Sequence, residues 1–280
     1  MKISAPTTMP LLEVLALLSP GSSKTSLRSW VKEGRVGVGG IVVSRVDIEV
    51  PQGEVVELGT KVRVLPHGLK IIYQDAYLIV VDKPAGLLTV KTAFEKEETV
   101  HAILKQKLEK RVTVLHRLDR ETSGALVFAF DERTALNFKA LFEKHAIERE
   151  YIAIVEGKVE VPSGTWDCYL AEDAQYHVYP TYNEEEGKRA ITHFEVTGGR
   201  KGYTRLKLRL ETGRKNQIRV HCQQAGHSVA GDAKYGATTN PIKRVALHAR
   251  FLGFTHPVTG KKITCVSSVP IEFDQLVREK

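Results

Sequence analysis

His116-Arg117-Leu118-Asp119-Arg120-Glu121-Thr122-Ser123-Gly124 separates two short apolar runs, Val112-Thr113-Val114-Leu115 before it and Ala125-Leu126-Val127-Phe128-Ala129-Phe130 after it. Both runs are β-branched or aromatic and too short for helices, so they read as strands, and the nine residues between them read as a loop. Upstream, Leu69-Lys70-Ile71-Ile72-Tyr73 and Leu78-Ile79-Val80-Val81-Asp82 are also strand-like, and the second runs into Lys83-Pro84-Ala85-Gly86. A helix is expected from Thr99 to Leu108. Downstream, Asp131 can cap a helix reaching about Ala146 that buries Phe138, Leu141 and Phe142, and Tyr151 to Val155 follows as a strand. Further strands are expected over 192–196, 204–210 and 262–266. Strands therefore outnumber helices, which predicts an α+β domain around a mixed, mainly antiparallel sheet.

The first 66 residues have a different character. An apolar helical stretch at 10–18 ends in Ser19-Pro20-Gly21-Ser22-Ser23, where Ser22 or Ser23 can cap a second helix over 24–33. On that helix Leu27, Trp30 and Val31 share one face, and Lys24, Arg28 and Lys32 recur every fourth residue beside them. Gly34 suits a left-handed helix end, and Val36, Val38, Gly39-Gly40 and Ile41-Val42-Val43 read as a hairpin. A small α+β domain over 1–66 and a larger one over 67–280 are expected.

The composition, 42% hydrophobic and 26% charged over 280 residues, is that of a globular protein and argues against long disorder. The net charge of +8 favours a polyanionic partner, and 14 Lys or Arg against the two acids Glu211 and Asp232 fall within residues 198–262. Asn183-Glu184-Glu185-Glu186-Gly187 reads as a solvated turn. Cys168, Cys222 and Cys265 are too scattered for a disulfide framework or a zinc site and read as small buried hydrophobes in a reducing compartment. Met1 opens no cleavable leader, and no apolar run nears the roughly 20 residues of a membrane span. A soluble, cytoplasmic protein is expected.

Asp119 lies between Arg117 and Arg120, and a cationic neighbour keeps a carboxylate ionised. An ionised carboxylate on a loop held by two strands can act as a nucleophile at a sugar carbon. The same Arg-x-Asp-Arg spacing also describes a loop salt-bridge cluster, so spacing alone leaves both readings open.

The segment from His116 to Gly124 resembles the signature of the pseudouridine synthase family that modifies large-subunit ribosomal RNA and some transfer RNAs. Four further blocks follow that family's order: Val80-Val81-Asp82-Lys83-Pro84-Ala85-Gly86-Leu87, Arg149-Glu150-Tyr151 with its strand to Gly157, Leu210 to His221, and Gly226-His227 through Tyr235-Gly236 and Leu247-His248-Ala249 to Phe254-Thr255-His256-Pro257. The N-terminal pattern Ser23-Lys24, Gly34-Arg35 and Val36-Gly37-Val38-Gly39-Gly40 resembles the ribosomal protein S4 type of RNA-binding domain, with Gly39 where that pattern has asparagine. Where many relatives carry Thr-His before Gln217, this chain has Lys215-Asn216.

The resemblance implies that Asp119 is the catalytic aspartate, that Tyr151 stacks on the target uracil and assists proton transfer, and that Arg219 pairs with Asp119 across the cleft. It implies that Arg117 fills the gap left by a flipped base and that Ile218 is an apolar wall. Lys24, Arg28, Lys32, Arg35, Arg214 and Lys215 become candidate RNA contacts, and the 198–262 stretch a candidate lining of an RNA channel. The reaction breaks the bond from ribose to uracil nitrogen 1, turns the base and joins carbon 5 to the same sugar carbon. It needs neither cofactor nor metal. The partner implied is ribosomal RNA or transfer RNA, and a monomer is expected. Asp119 could attack the anomeric carbon, add to carbon 6, or remove a ribose proton to give a glycal. Two competing readings are an RNA-binding protein without chemistry and a glycoside hydrolase with a carboxylate pair; against the latter, Glu121 is the only nearby acid.

Overall fold

The computed structural model describes residues 1–43, 45–59, 63–91, 98–200 and 202–277, with the side chains of Ile41 and Val42 excepted. Lys201, one of the cations of the basic stretch, lies outside the described residues. The chain divides into two compact units, Met1–Val64 and Leu65–Lys280.

The first unit runs β1 (Lys2–Ser4), β2 (Met9–Pro10), α1 (Leu11–Leu18), α2 (Lys24–Lys32), β3 (Val36–Val38), β4 (Ile41–Val42), β5 (Glu49–Val50) and β6 (Val55–Leu58). Of the two candidate caps, Ser23 is the one used: its side chain accepts from Ser26 N at 3.1 Å. Gly34, at φ 66°, ends the helix in the left-handed region, and β3 and β4 pair as the hairpin. A four-stranded sheet in the order β1-β6-β3-β4 and the helix faces Leu11, Val14, Leu15, Leu27 and Val31 enclose a separate core.

The second unit begins with β7 (Lys70–Gln74) and β8 (Leu78–Lys83), followed by α3 (Val100–Leu108), β9 (Thr113–Val114), β10 (Ser123–Ala129), α4 (Glu132–Glu143) and β11 (Glu148–Glu156). It continues through β12 (Ser163–Glu172), β13 (Val178–Thr181), β14 (Lys188–Arg200), β15 (Tyr203–Leu210), α5 (Gln217–Gln224), β16 (Leu247–Thr255), β17 (Lys262–Val266) and α6 (Ile271–Val277). Its strands form one eleven-stranded sheet in the order β13-β12-β14-β15-β11-β16-β10-β8-β7, with β17 on β16 and β9 on β10. Every pairing is antiparallel except β10 with β16.

Helices cover both faces of this sheet, which explains why β8 is apolar at consecutive positions. Ile79 and Val81 join the core that holds Ile103, Ile218 and Phe273 of α3, α5 and α6, whereas Leu78 and Val80 pack with Ala135 and Phe138 of α4. Burying each such side chain is worth about 1.5–3 kcal/mol. At the parallel seam Gly124, at φ +114°, lies opposite Ala249, and a Cβ there would come within 2.1 Å of the Ala249 carbonyl. Only glycine lets these backbones approach so closely.

Several local expectations shift. The nine-residue loop is shorter than expected, because Ser123 and Gly124 already belong to β10. Helix α4, capped by Asp131, stops at Glu143 because His145 turns left-handed at φ 52°. Phe138 is fully buried, and Leu141 and Phe142 are partly so. Strand β14 is far longer than 192–196, since β12 and β15 pair with its two edges and supply the ladder that its polar residues do not announce. Cys222 and Cys265 are buried, but Cys168 is only partly so, with its Sγ 3.3 Å from His221 Nε2. Among the described residues no helix is long and apolar enough to cross a membrane.

Candidate active site

Asp119 stands on the loop between β9 and β10, and the residues on either side of it are tied down. Thr89, 2% exposed, donates to Leu118 O at 2.8 Å and accepts from Leu118 N at 3.2 Å. The fully buried Lys83 donates to Arg120 O at 2.9 Å, Leu87 O at 2.7 Å and Pro84 O at 2.9 Å, and Gly86 N also donates to Arg120 O at 2.9 Å. Burial pushes the Lys83 ammonium down to about 7, while Asp119 and Glu121 pull it back up. The Lys-Pro-x-Gly block after β8 thus serves as a clamp beneath the aspartate, a role its sequence did not announce.

The cation that meets Asp119 is neither Arg117 nor Arg120. Arg219, in the first turn of α5, donates from Nη1 to Asp119 Oδ2 at 3.1 Å. Its remaining donors are clamped by Asp232, with Nε to Oδ2 at 2.6 Å and Nη2 to Oδ1 at 2.7 Å. Its guanidinium lies 4.8 Å from the centre of the Tyr235 ring. Burial opposes the Arg219 charge, but the Asp232 and Asp119 carboxylates outweigh it and raise its pKa. Asp232 is 1% exposed, so the bidentate pair fixes both the charge and the direction of Arg219.

Tyr151 sits on β11 directly after a register shift against β16 between Glu150 and Tyr151. Such a bulge re-aims the next side chain, and Tyr151, 8% exposed, lines the same cleft as Asp119. Burial raises its hydroxyl pKa, Arg149 counteracts this, and Asp119 adds to it. Arg149, also 8% exposed, lies over the Phe142 ring at 5.3 Å and donates to Glu211 O at 3.0 Å. Gly213 leaves room for it, because a Cβ there would fall 2.4 Å from Arg149 Nη1.

The cleft measures about 1340 Å³ and is lined by Arg117, Asp119, Arg149, Tyr151, Arg214 and Lys215 among others. That exceeds the range of roughly 300–1,000 Å³ usual for small-molecule pockets. Arg117 is exposed on its wall. Arg214 donates to Arg189 O at 3.0 Å, and Lys215 pairs with Glu172 and lies 5.3 Å from the Tyr176 ring.

Two expectations are corrected. Ile218 is no wall of the cleft: it is 4% exposed and packed in the main core. Gln217 braces the turn before α5, accepting from Thr212 Oγ1 and Arg214 N and donating to Ile191 O and Thr192 Oγ1. The basic stretch is not one channel lining: of its described cations only Arg214 and Lys215 line the cleft. Arg205 pairs with Asp274, Lys207 with Glu150 and Glu195, and Arg250 with Glu150. In the first unit Lys24, Arg28 and Lys32 are exposed on α2, whereas Arg35 is half-buried against the Trp30 ring and donates to Gly59 O at 3.2 Å.

Asp232, Lys83, Thr89, Arg149 and Asn216 were not singled out as site residues by sequence reasoning. All but Thr89 lie inside the quoted family blocks, which was the available signal, yet their roles depend on partners far along the chain.

Asp119 paired with a clamped arginine beside a buried tyrosine, at a cleft larger than a usual small-molecule pocket, is the arrangement of a candidate active site. Residues 77–224 match the family model described as RNA pseudouridylate synthase. Among curated proteins, the ribosomal large subunit pseudouridine synthase D of Haemophilus ducreyi is 32% identical, with 95% of this chain and 89% of that protein covered. The synthase of the same name from Xylella fastidiosa is 34% identical, over 94% and 86%. The uncharacterized RNA pseudouridine synthase YlyB of Bacillus subtilis is 31% identical, over 91% and 88%. The solved structure of human RNA pseudouridylate synthase domain containing 1 shares the fold at a TM-score of 0.63 and 24% identity, covering 75% of this chain and 87% of that one. The chain belongs to the RNA pseudouridine synthase family and is an isomerase of RNA uridines.

Proposed function

We propose that this enzyme isomerises uridines of large-subunit ribosomal RNA, with Asp119 as the nucleophile, Tyr151 as the aromatic against the target base and Arg219 as the cation that holds the aspartate in place. The observation that carries this reading is the 3.1 Å pair between Arg219 and Asp119 at a cleft that Tyr151 also lines. Anomeric attack, addition to carbon 6 and glycal formation all need the Asp119 carboxylate held in a fixed direction, which the paired guanidinium supplies. A stacked uridine must leave its helix to reach the aspartate, which costs a few kcal/mol that stacking and phosphate contacts offset. Arg117, Arg214 and Lys215 on the cleft wall are placed to supply such contacts. The ribosomal target is supported by relatives named for the large ribosomal subunit that match more than nine-tenths of the chain.

The N-terminal unit serves in this reading as an S4-like RNA grip through Lys24, Arg28 and Lys32, which spread along one edge of α2. A cytoplasmic enzyme is part of the same proposal, supported by relatives named for the large ribosomal subunit. The test is tritium release from large-subunit ribosomal RNA labelled at uracil carbon 5. Asp119→Asn is expected to lower release by at least about 10⁴-fold with its fold intact. Undiminished release by that variant would overturn the nucleophile. Release from transfer RNA alone would overturn the substrate.

A further inference from the structure

Asn216 is the one described residue of α5's approach that adopts a left-handed conformation, at φ 53° and ψ 17°, and it makes no side-chain cap for the helix it precedes. Its amide lies instead between the Asp119 carboxylate and the Tyr235 hydroxyl. With Nδ2 turned to the aspartate, it donates to Oδ2 at 2.9 Å and to Oδ1 at 3.1 Å, and its own Oδ1 accepts from Tyr235 at 2.8 Å. The opposite orientation sets a carbonyl against a carboxylate; it keeps a 2.8 Å bond by donating from Nδ2 to the Tyr235 hydroxyl, but in place of the two bonds to Asp119 it gains a contact of 3.5 Å from Arg219 Nη1. A bond that long compensates little, so electrostatics select the first orientation.

The anchor of this amide is well fixed. Tyr235 is fully buried, its ring stacks on His177 with centroids 5.0 Å apart, and its hydroxyl accepts from Val178 N at 3.3 Å. The hydroxyl proton is then directed at Asn216 Oδ1. Arg219 lies over the same ring, so one tyrosine supports both groups that touch Asp119.

We infer that Asn216 is a positioning residue for the isomerisation: its amide, oriented by Tyr235, donates to both oxygens of the ionised Asp119 and sets the plane in which that carboxylate meets the sugar. Arg219 supplies charge to one oxygen, and Asn216 supplies direction to both. This is a particular property of the Lys215-Asn216 pair in a place where many relatives carry Thr-His. The inference rests on Asp119 being the nucleophile.

Three variants test it through steady-state tritium release. Asn216→Gly removes the amide while tolerating the left-handed backbone, and kcat is expected to fall about 10- to 100-fold with KM for RNA unchanged. Asn216→Asp keeps the shape but replaces donors by acceptors against a carboxylate, and its loss of kcat is expected to exceed that of the glycine variant. Tyr235→Phe frees the amide to turn, with an expected loss of about 3- to 10-fold. A packing role predicts the reverse order, with the isosteric Asp variant the more active, and that result overturns the inference. A rise in KM at unchanged kcat also overturns it, because it makes Asn216 an RNA contact. Asp119→Asn measured alongside separates the two readings. Activity in that variant overturns the nucleophile itself, whereas an inert Asp119→Asn beside a fully active Asn216→Asp overturns only the role of Asn216.

Discussion

Two groups of charges in this molecule obey opposite rules. Lys24, Arg28 and Lys32 on α2 are exposed and make no ion pair among the described residues. Asp119, Arg219 and Asp232 form a compact chain in which Arg219 is 13% exposed at its side chain and Asp232 is 1% exposed. A solvated charge costs nothing to keep unpaired and acts over a distance that salt controls. A buried charge must be matched, and once matched it has one direction. The first group is suited to attracting a polyanion, and the second to aiming a single carboxylate.

This contrast can be broken most forcefully at Asp232. Asp232→Ala leaves the Arg219 guanidinium buried with half of its partners removed, so a stability loss of about 3–5 kcal/mol is expected. Displacement of the cation should also lower kcat by about 100-fold or more. Chemical denaturation and tritium release read the two effects separately, and a variant of wild-type activity would show that Arg219 needs no clamp.

The matched interior also predicts a pH dependence. Burial pushes His116 down to about 3, and His221 and His248 to about 4, from an ordinary value of 6.5. These histidines are neutral in the fold: Val127 N donates to His116 Nε2 at 3.2 Å, which requires an unprotonated nitrogen there. Between pH 6.5 and 4 the unfolded chain binds protons that the folded chain refuses, so stability rises with pH across that window and falls as the solution is acidified. Urea midpoints measured at intervals from pH 7 to 4 should drop, and His221→Gln should flatten the drop. A midpoint that stays level would mean these imidazoles are charged in the fold.

The smallest structural effect belongs to the exposed stripe. Replacing Lys24, Arg28 and Lys32 together by Gln is expected to change stability by no more than about 0.5 kcal/mol per site. It should nonetheless weaken RNA binding and make the dependence of log affinity on log salt shallower by about 2–3. An unchanged salt slope would remove the stripe from the RNA contact.

The stripe was legible because everything it needs is local. Ser23 caps, Leu27 and Val31 repeat at helical spacing, and the cations follow the same period. Strand β8 was legible for a similar reason, as its apolar run is continuous. Helix α5 was not: Gln-Ile-Arg-Val-His-Cys-Gln-Gln is short, weakly amphipathic and opened by an asparagine whose left-handed turn has no sequence signature of its own. Strand β12 was missed because its outward residues are polar and its inward ones as far as Tyr169 are only half-buried, and β13 because it is four residues long with Val178 alone buried.

The sequence by itself determined the α+β class, the N-terminal helix with its cap and basic edge, and the ordered blocks that mark the family. The family resemblance named Arg219 as the partner of Asp119, and tertiary structure decided how that cation, and not a sequence neighbour, is brought to it. Arg117 and Arg120 are its neighbours in sequence, but a loop residue and its flanks point apart, and Arg120 is drawn to the carbonyl of Gly86 at 3.2 Å. Arg219 reaches Asp119 from 100 residues away because Asp232 and Tyr235 hold it there, and Asn216 arrives with it at the start of the same helix. Contacts of that range depend on how sheet and helices pack, which no spacing within a motif encodes.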